Sequence, residues 1–176
     1  ITCQQSFGSW FKVTIESVKK DRRTMKNVNL HELFEDLKKS WSDTCPDTEI
    51  SIECDQILFR CFPYEIESII NNLVANSTSA FKSVNQLDRR IHINVQQQDN
   101  IIRILYQDNG PGLSAKYKKN PDLIMDAMET DKTDVDGEVV GTGMGMWIIQ
   151  KTVTDYKGTI DLSSNIDSEI GFHAAI

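Results

Sequence analysis

The stretch from Ile66 to Phe81 limits this chain's fold more than any other part of it. Apolar side chains recur at Ile66, Ile69, Ile70, Leu73, Val74, Ala80 and Phe81, the spacing of a helix with one buried face. Pro63 suits the opening turn of that helix, where a missing N–H costs nothing. Beside the apolar face runs a wholly polar stripe of Glu65, Ser68, Asn72, Asn76, Ser79 and Ser83, with Asn72 and Asn76 stacked one turn apart. Asparagine is a poor interior helix former because its amide competes for nearby backbone groups. Two of them flanking a core face are either solvated polar residues or amides offered to a metal ion or phosphate shell.

At 176 residues the chain has room for one domain with a sizeable core. Its 19 basic and 26 acidic residues give a net charge of −7, which argues against nucleic-acid binding through many phosphate contacts but leaves small phosphorylated ligands open. No apolar run approaches the ~18 residues of a membrane span, so no membrane contact is expected. Cys3, Cys45, Cys54 and Cys61 form no C-x-x-C pair and read as reduced thiols in a cytoplasmic setting. The chain opens on Ile1, so it is expected to be a fragment of a longer protein.

Residues 1–26, with Phe7, Trp10, Phe11, Ile15 and Val18 before a basic run from Lys19 to Lys26, read as an N-terminal linker helix; residues 27–176 read as the domain. Within it, the pattern predicts a short edge strand at Val28-Asn29-Leu30, a helix from His31 to Trp41 and strands at Ile50–Cys54 and Ile57–Phe62. A hairpin of Ile91–Val95 with Ile101–Gln107 follows. Ser114 to Val140 shows little periodicity beyond a short helix around Leu123 to Met128, and reads as a functional lid. A helix from Gly145 to Tyr156 and a strand pair, Thr159–Ser163 with Gly171–Ile176, complete the prediction.

Two glycine-rich turns carry chemical meaning. Asp108-Asn109-Gly110-Pro111-Gly112 follows a strand directly, leaves a carboxylate at the strand's end and lets backbone approach a neighbour closely. Taken alone it could be a strand-terminating turn. Gly141-Thr142-Gly143-Met144-Gly145 feeds the apolar run Met146-Trp147-Ile148-Ile149. A loop of that kind presents unpaired N–H groups and the positive end of a helix dipole, which suits a polyphosphate. The dinucleotide fingerprint fails here, because the third glycine comes one residue early and too little chain remains for a βαβαβ unit.

Together and in this order, N-x-x-x-N, D-x-G-x-G and G-x-G-x-G resemble the N, G1 and G2 boxes of the GHKL superfamily, the ATP-binding fold of sensor histidine kinases, gyrase, mismatch-repair proteins and heat-shock chaperones. The likeness spans Val28 to Ile176 and includes a segment similar to the lid's F box, Pro121 to Met125 with Thr130 and Lys132. It implies a two-layer α/β sandwich of the Bergerat type, with helices on one face of a mixed, mostly antiparallel sheet. It also implies that Asn76 coordinates Mg²⁺ on the phosphates of ATP, that Asp108 accepts the adenine amino group and that Gly110 and Gly112 admit the base. Gly141, Thr142, Gly143, Met144 and Gly145 would cradle the phosphates, and Lys132 would reach the terminal one. Ser79 stands where many histidine kinases carry a basic residue, with Lys82 nearby.

The superfamily's hydrolysing branches place a glutamate four residues before the metal asparagine to activate water. Asn72 occupies that place, and a neutral amide cannot take a proton. The resemblance therefore points to a histidine kinase catalytic domain, passing the γ-phosphoryl to a histidine on a phosphoacceptor domain upstream or in trans, with a response regulator further on. A GHKL ATPase module that drives conformational change, or a degenerate nucleotide-binding domain, are the alternatives. Glu65 and Glu67 lie at the wrong distance to serve as base. His31 reads as the start of the first helix, since an acceptor there would leave too little chain before Asn72 for a two-helix domain.

Overall fold

A computed structural model describes residues 24–130, 141–166, 168 and 170–176. The Phe7 to Val18 helix, Cys3 and Lys132 lie outside those residues. Lys26, assigned above to the linker's basic end, begins the first strand.

Strand β1 (Lys26–Asn29) pairs antiparallel with β3 (Leu58–Cys61) in a small two-stranded sheet. The main sheet has the order β2-β4-β5-β6, made of β2 (Glu49–Cys54), β4 (Arg90–Gln98), β5 (Ile101–Asp108) and β6 (His173–Ala175). Only the β2–β4 pair is parallel, so the sheet is mixed and mostly antiparallel as expected. The hairpin turns on two residues, Asp99 and Asn100, with Asp99 in the left-handed region at φ 55°.

Strand alternation gives the sheet two unlike faces. Ile91, Ile93, Val95, Ile104 and Tyr106 are buried, whereas Ser51, Glu53, Arg103 and Gln107 point to solvent. Three helices fill the buried side: α1 (Leu30–Thr44) with Leu30, Phe34 and Trp41, α2 (Pro63–Ser83) with Ile69, Ile70, Leu73 and Phe81, and α4 (Gly145–Asp155) with Met146, Ile149 and Val153.

Asn29 caps α1 by accepting the His31 N–H at 3.1 Å, while the His31 ring binds the Cys54 carbonyl at 3.0 Å. His31 is thus part of the junction between α1 and β2. At the far end of the core, the Tyr156 hydroxyl takes up the Phe62 N–H (3.0 Å) that opens α2 and donates to Glu65 Oε2 (2.6 Å). Burial, reinforced by the bond to Glu65, pushes that hydroxyl's pKa up, so it stays a donor. Cys45, Cys54 and Cys61 are free, and burial raises Cys54 and Cys61 to about 11, leaving both protonated.

Two predictions need correction. The helix expected at Leu123 to Met128 is instead a short α3 (Ala115–Lys118) and a 3-10 turn at Pro121–Met125. Pro121 keeps Asn120 out of the helical region (φ −148°, ψ 83°) and starts the turn early, Asp126 already leaves it extended (φ −69°, ψ 145°), and Met128 at φ 67° bars a helix from running on to that residue. The final strand pair is reduced as well. Only Asp161 bridges Ala175, and the chain then curls into a 3-10 turn at Ser163–Asn165. The Asp161 carboxylate accepts the Ser163 N–H at 2.8 Å, a local bond that competes with the ladder.

Candidate functional site

Asp108 ends β5 and is only 5% exposed. A buried carboxylate needs donors, and of the three it has, one comes from its own turn and two from distant parts of the chain. Oδ1 accepts the Gly110 N–H at 2.8 Å and the Phe172 N–H at 3.0 Å, and Oδ2 accepts the Ser77 hydroxyl. Ser77 lies on α2 directly after Asn76 and also meets the Tyr106 hydroxyl at 2.7 Å. Ser77 and Tyr106 are each 2% exposed.

Glycine makes this turn possible at two places. A Cβ on Gly112, at φ +72°, would sit 2.9 Å from the Gly171 carbonyl oxygen, and one on Gly171, at φ +81°, would sit 2.2 Å from the Asp108 carbonyl oxygen. Gly171 N–H also bonds the Gly110 carbonyl at 2.8 Å. The D-x-G-x-G turn is therefore clamped to the segment entering β6. Gly110 packs on Phe81, the last buried residue of α2.

The asparagine stripe meets the second glycine loop. A Cβ on Gly145 would stand 3.1 Å from Asn72 Oδ1 and 3.8 Å from Asn76 Nδ2, so glycine lets the first turn of α4 rest against both amides. Asn72 is itself tied down, donating to the Ser68 carbonyl at 2.8 Å. Gly143, at φ +63°, brings the loop against the chain leaving the 3-10 turn, where an added Cβ would come within 2.3 Å of the Met128 carbonyl carbon. Met144 N–H reaches the Thr142 hydroxyl at 3.4 Å. No described side chain caps α4 and its first turn holds no acidic residue, so among the described residues of that turn nothing offsets the positive end of its dipole.

Asn72, Asn76, Asp108, Gly110, Gly112 and the loop of Gly141, Thr142, Gly143, Met144 and Gly145 thus meet along the C-terminal half of α2, with Ser77 the link between Asn76 and the carboxylate. Lys132 is outside the described residues. Three residues earlier in the chain, Glu129 is held by Lys116 and by the Tyr117 hydroxyl at 2.9 Å, which fastens the segment after the 3-10 turn to α3. Ser77, Tyr106, Gly171 and Phe172 carry weight that the motifs alone did not reveal. Glu65 is excluded from the site by its bonds to Tyr156 and Tyr64. Among the described residues no group of three or more His, Cys, Asp or Glu side chains gathers to hold a metal ion.

A family model described as histidine kinase-, DNA gyrase B-, and HSP90-like ATPase matches residues 63–174. The chain belongs to this family. Among curated relatives, this ATPase-family domain is 29% identical over 109 residues to a "Probable C4-dicarboxylate sensor kinase" of Bacillus subtilis (strain 168), covering 62% of the chain and 19% of that protein. It is likewise 29% identical over 110 residues to a "Putative sensor histidine kinase NtrY-like" of Rickettsia bellii, covering 62% and 16%. The chain therefore spans about a fifth or less of these relatives. Among solved structures, the "Mycobacterial sensor histidine kinase MprB" aligns with TM-score 0.66 at 14% identity over 86% of this chain and 95% of that one. The nucleotide-free catalytic domain of histidine kinase ThkA aligns with TM-score 0.65 at 19% identity over 86% and 96%. Both share the fold. No described helix is long and apolar enough to cross a membrane.

Proposed function

We propose that this domain binds Mg-ATP and serves as the catalytic domain of a sensor histidine kinase, transferring the γ-phosphoryl to a histidine outside residues 27–176. The observation that carries the reading is the junction at α2, where consecutive residues Asn76 and Ser77 face the glycine loop on one side and Asp108 on the other. An adenine amino group suits the Asp108 acceptor, and the triphosphate suits the uncapped start of α4. Mg²⁺ keeps several waters and takes few protein ligands alongside phosphate oxygens, so the Asn76 amide oxygen fits as its contact. ATP would supply the phosphoryl group, and an ion held at Asn76 would supply charge neutralisation.

The residues of the chain then act by placement rather than by covalent chemistry. Asp108 fixes the base, the Gly141 to Gly145 loop orients the phosphates, and Lys132 reaches the terminal one. Asn72 weighs against the ATPase alternative. Its amide donates to Ser68 and cannot abstract a proton, and Glu65 is engaged elsewhere. The sensor-kinase names of the relatives agree with that choice, and a cytoplasmic location and a response-regulator partner follow from it.

The test uses the whole protein that carries this domain, incubated with γ-labelled ATP and Mg²⁺. It should gain acid-labile label on histidine with little free phosphate, and Asn76→Ala should lower that labelling about tenfold or more and abolish its dependence on Mg²⁺. Steady phosphate release without protein labelling would favour the ATPase module instead.

A further inference from the structure

Tyr106, Ser77 and Asp108 form a buried chain of hydrogen bonds whose direction is forced. A carboxylate oxygen offers about two acceptor sites. Asp108 Oδ1 fills both with the Gly110 and Phe172 N–H groups, while Oδ2 receives only the Ser77 hydroxyl. Ser77 has one proton and gives it to Oδ2, so at its 2.7 Å contact with Tyr106 it must accept. Burial, with the Asp108 charge adding to it, pushes the Tyr106 hydroxyl's pKa well above its usual range, which keeps that donor protonated even though its bond to Ser77 pulls the other way.

We propose that Tyr106 and Ser77 are positioning residues: their relay holds Asp108 with Oδ1 saturated and a single open acceptor site on Oδ2, reserved for the amino group of the purine. The inference rests on the adenine-binding role of Asp108. Its consequence is selectivity. A base carrying an amino group completes the carboxylate's set of donors, whereas a base carrying a carbonyl there would set acceptor against acceptor. Without the Ser77 hydroxyl, a buried oxygen loses its fixed donor, and the carboxylate is free to turn or to take a water.

The experiment compares ATP with purine riboside triphosphate, which lacks only the exocyclic amino group, by calorimetric titration of the chain in Mg²⁺. The parent should prefer ATP. Ser77→Ala should lower ATP affinity about tenfold while changing the aminoless nucleotide less than about twofold, and Ser77→Thr, which keeps a hydroxyl, should restore ATP binding. Tyr106→Phe should show the same selective loss at about threefold, and it supplies the answer if Ser77→Ala does not fold. Equal losses on both nucleotides, or none on either, would overturn the relay. Asp108→Asn is the separate control: if it binds ATP like the parent, the adenine site itself is misassigned, whatever Ser77 does.

Discussion

The two ends of the site are built on opposite plans. Around Asp108 nearly every polar group has a partner within the chain, supplied by α2, by the turn itself and by the approach to β6. Around Gly143 and Gly145 the backbone is brought close to Met128 and to the two asparagines, yet α4 begins without a described side-chain cap. The saturated end is suited to reading a hydrogen-bond pattern, because a ligand must match what little remains open. The glycine end is suited to charge, because a polyphosphate supplies a counterpart that no described residue of the helix's first turn provides.

Asp108→Asn should divide the two ends most sharply. The amide oxygen must take the Oδ1 place, where two N–H groups point, which puts an NH₂ where the base presents its own amino group. Titration should show ATP and adenosine both weakened by about a hundredfold, with the fold intact because Ser77 can reverse and accept. A loss confined to ATP would break the division. Gly143→Ala comes next. A Cβ within 2.3 Å of Met128 backbone at positive φ forces the loop to move, so ATP should weaken by about tenfold to thirtyfold while adenosine binds as before. Equal weakening of adenosine would join the two ends into one unit. The smallest effect concerns the helix junction behind both. Tyr156→Phe removes the partner of the Phe62 N–H and of Glu65, and calorimetry should show a loss of about 1 kcal/mol, or about 3 °C in Tm, with ATP affinity unchanged. A parallel loss of ATP binding would show that the junction tunes the site.

The parts of this site that could be read in advance were those whose chemistry is unusual for their local structure: two amides inside a helix, and glycines crowded at a strand end and before a helix. Ser77 gave no such signal. It lies on the buried side of α2, where a small residue reads as a packing spacer, and only the distant Tyr106 and Asp108 give its hydroxyl a task. Gly171 likewise read as the start of a strand, although its carbonyl and missing Cβ shape the turn at Gly112 and Asp108. The long helices were legible because their periodicity is local. The separate β1–β3 sheet was not, because its strands meet across α1 and β2, and the two short 3-10 turns are set by one proline and one aspartate rather than by a repeating pattern.

The Phe172 N–H reaches a carboxylate 64 residues earlier in the chain. During synthesis the helices, the hairpin and both glycine motifs emerge from the ribosome ahead of that donor. A nascent chain halted ahead of Gly171 would hold Asp108 with only the Gly110 N–H on Oδ1 and without the clamp on its turn, so nucleotide capture should begin only when β6 docks.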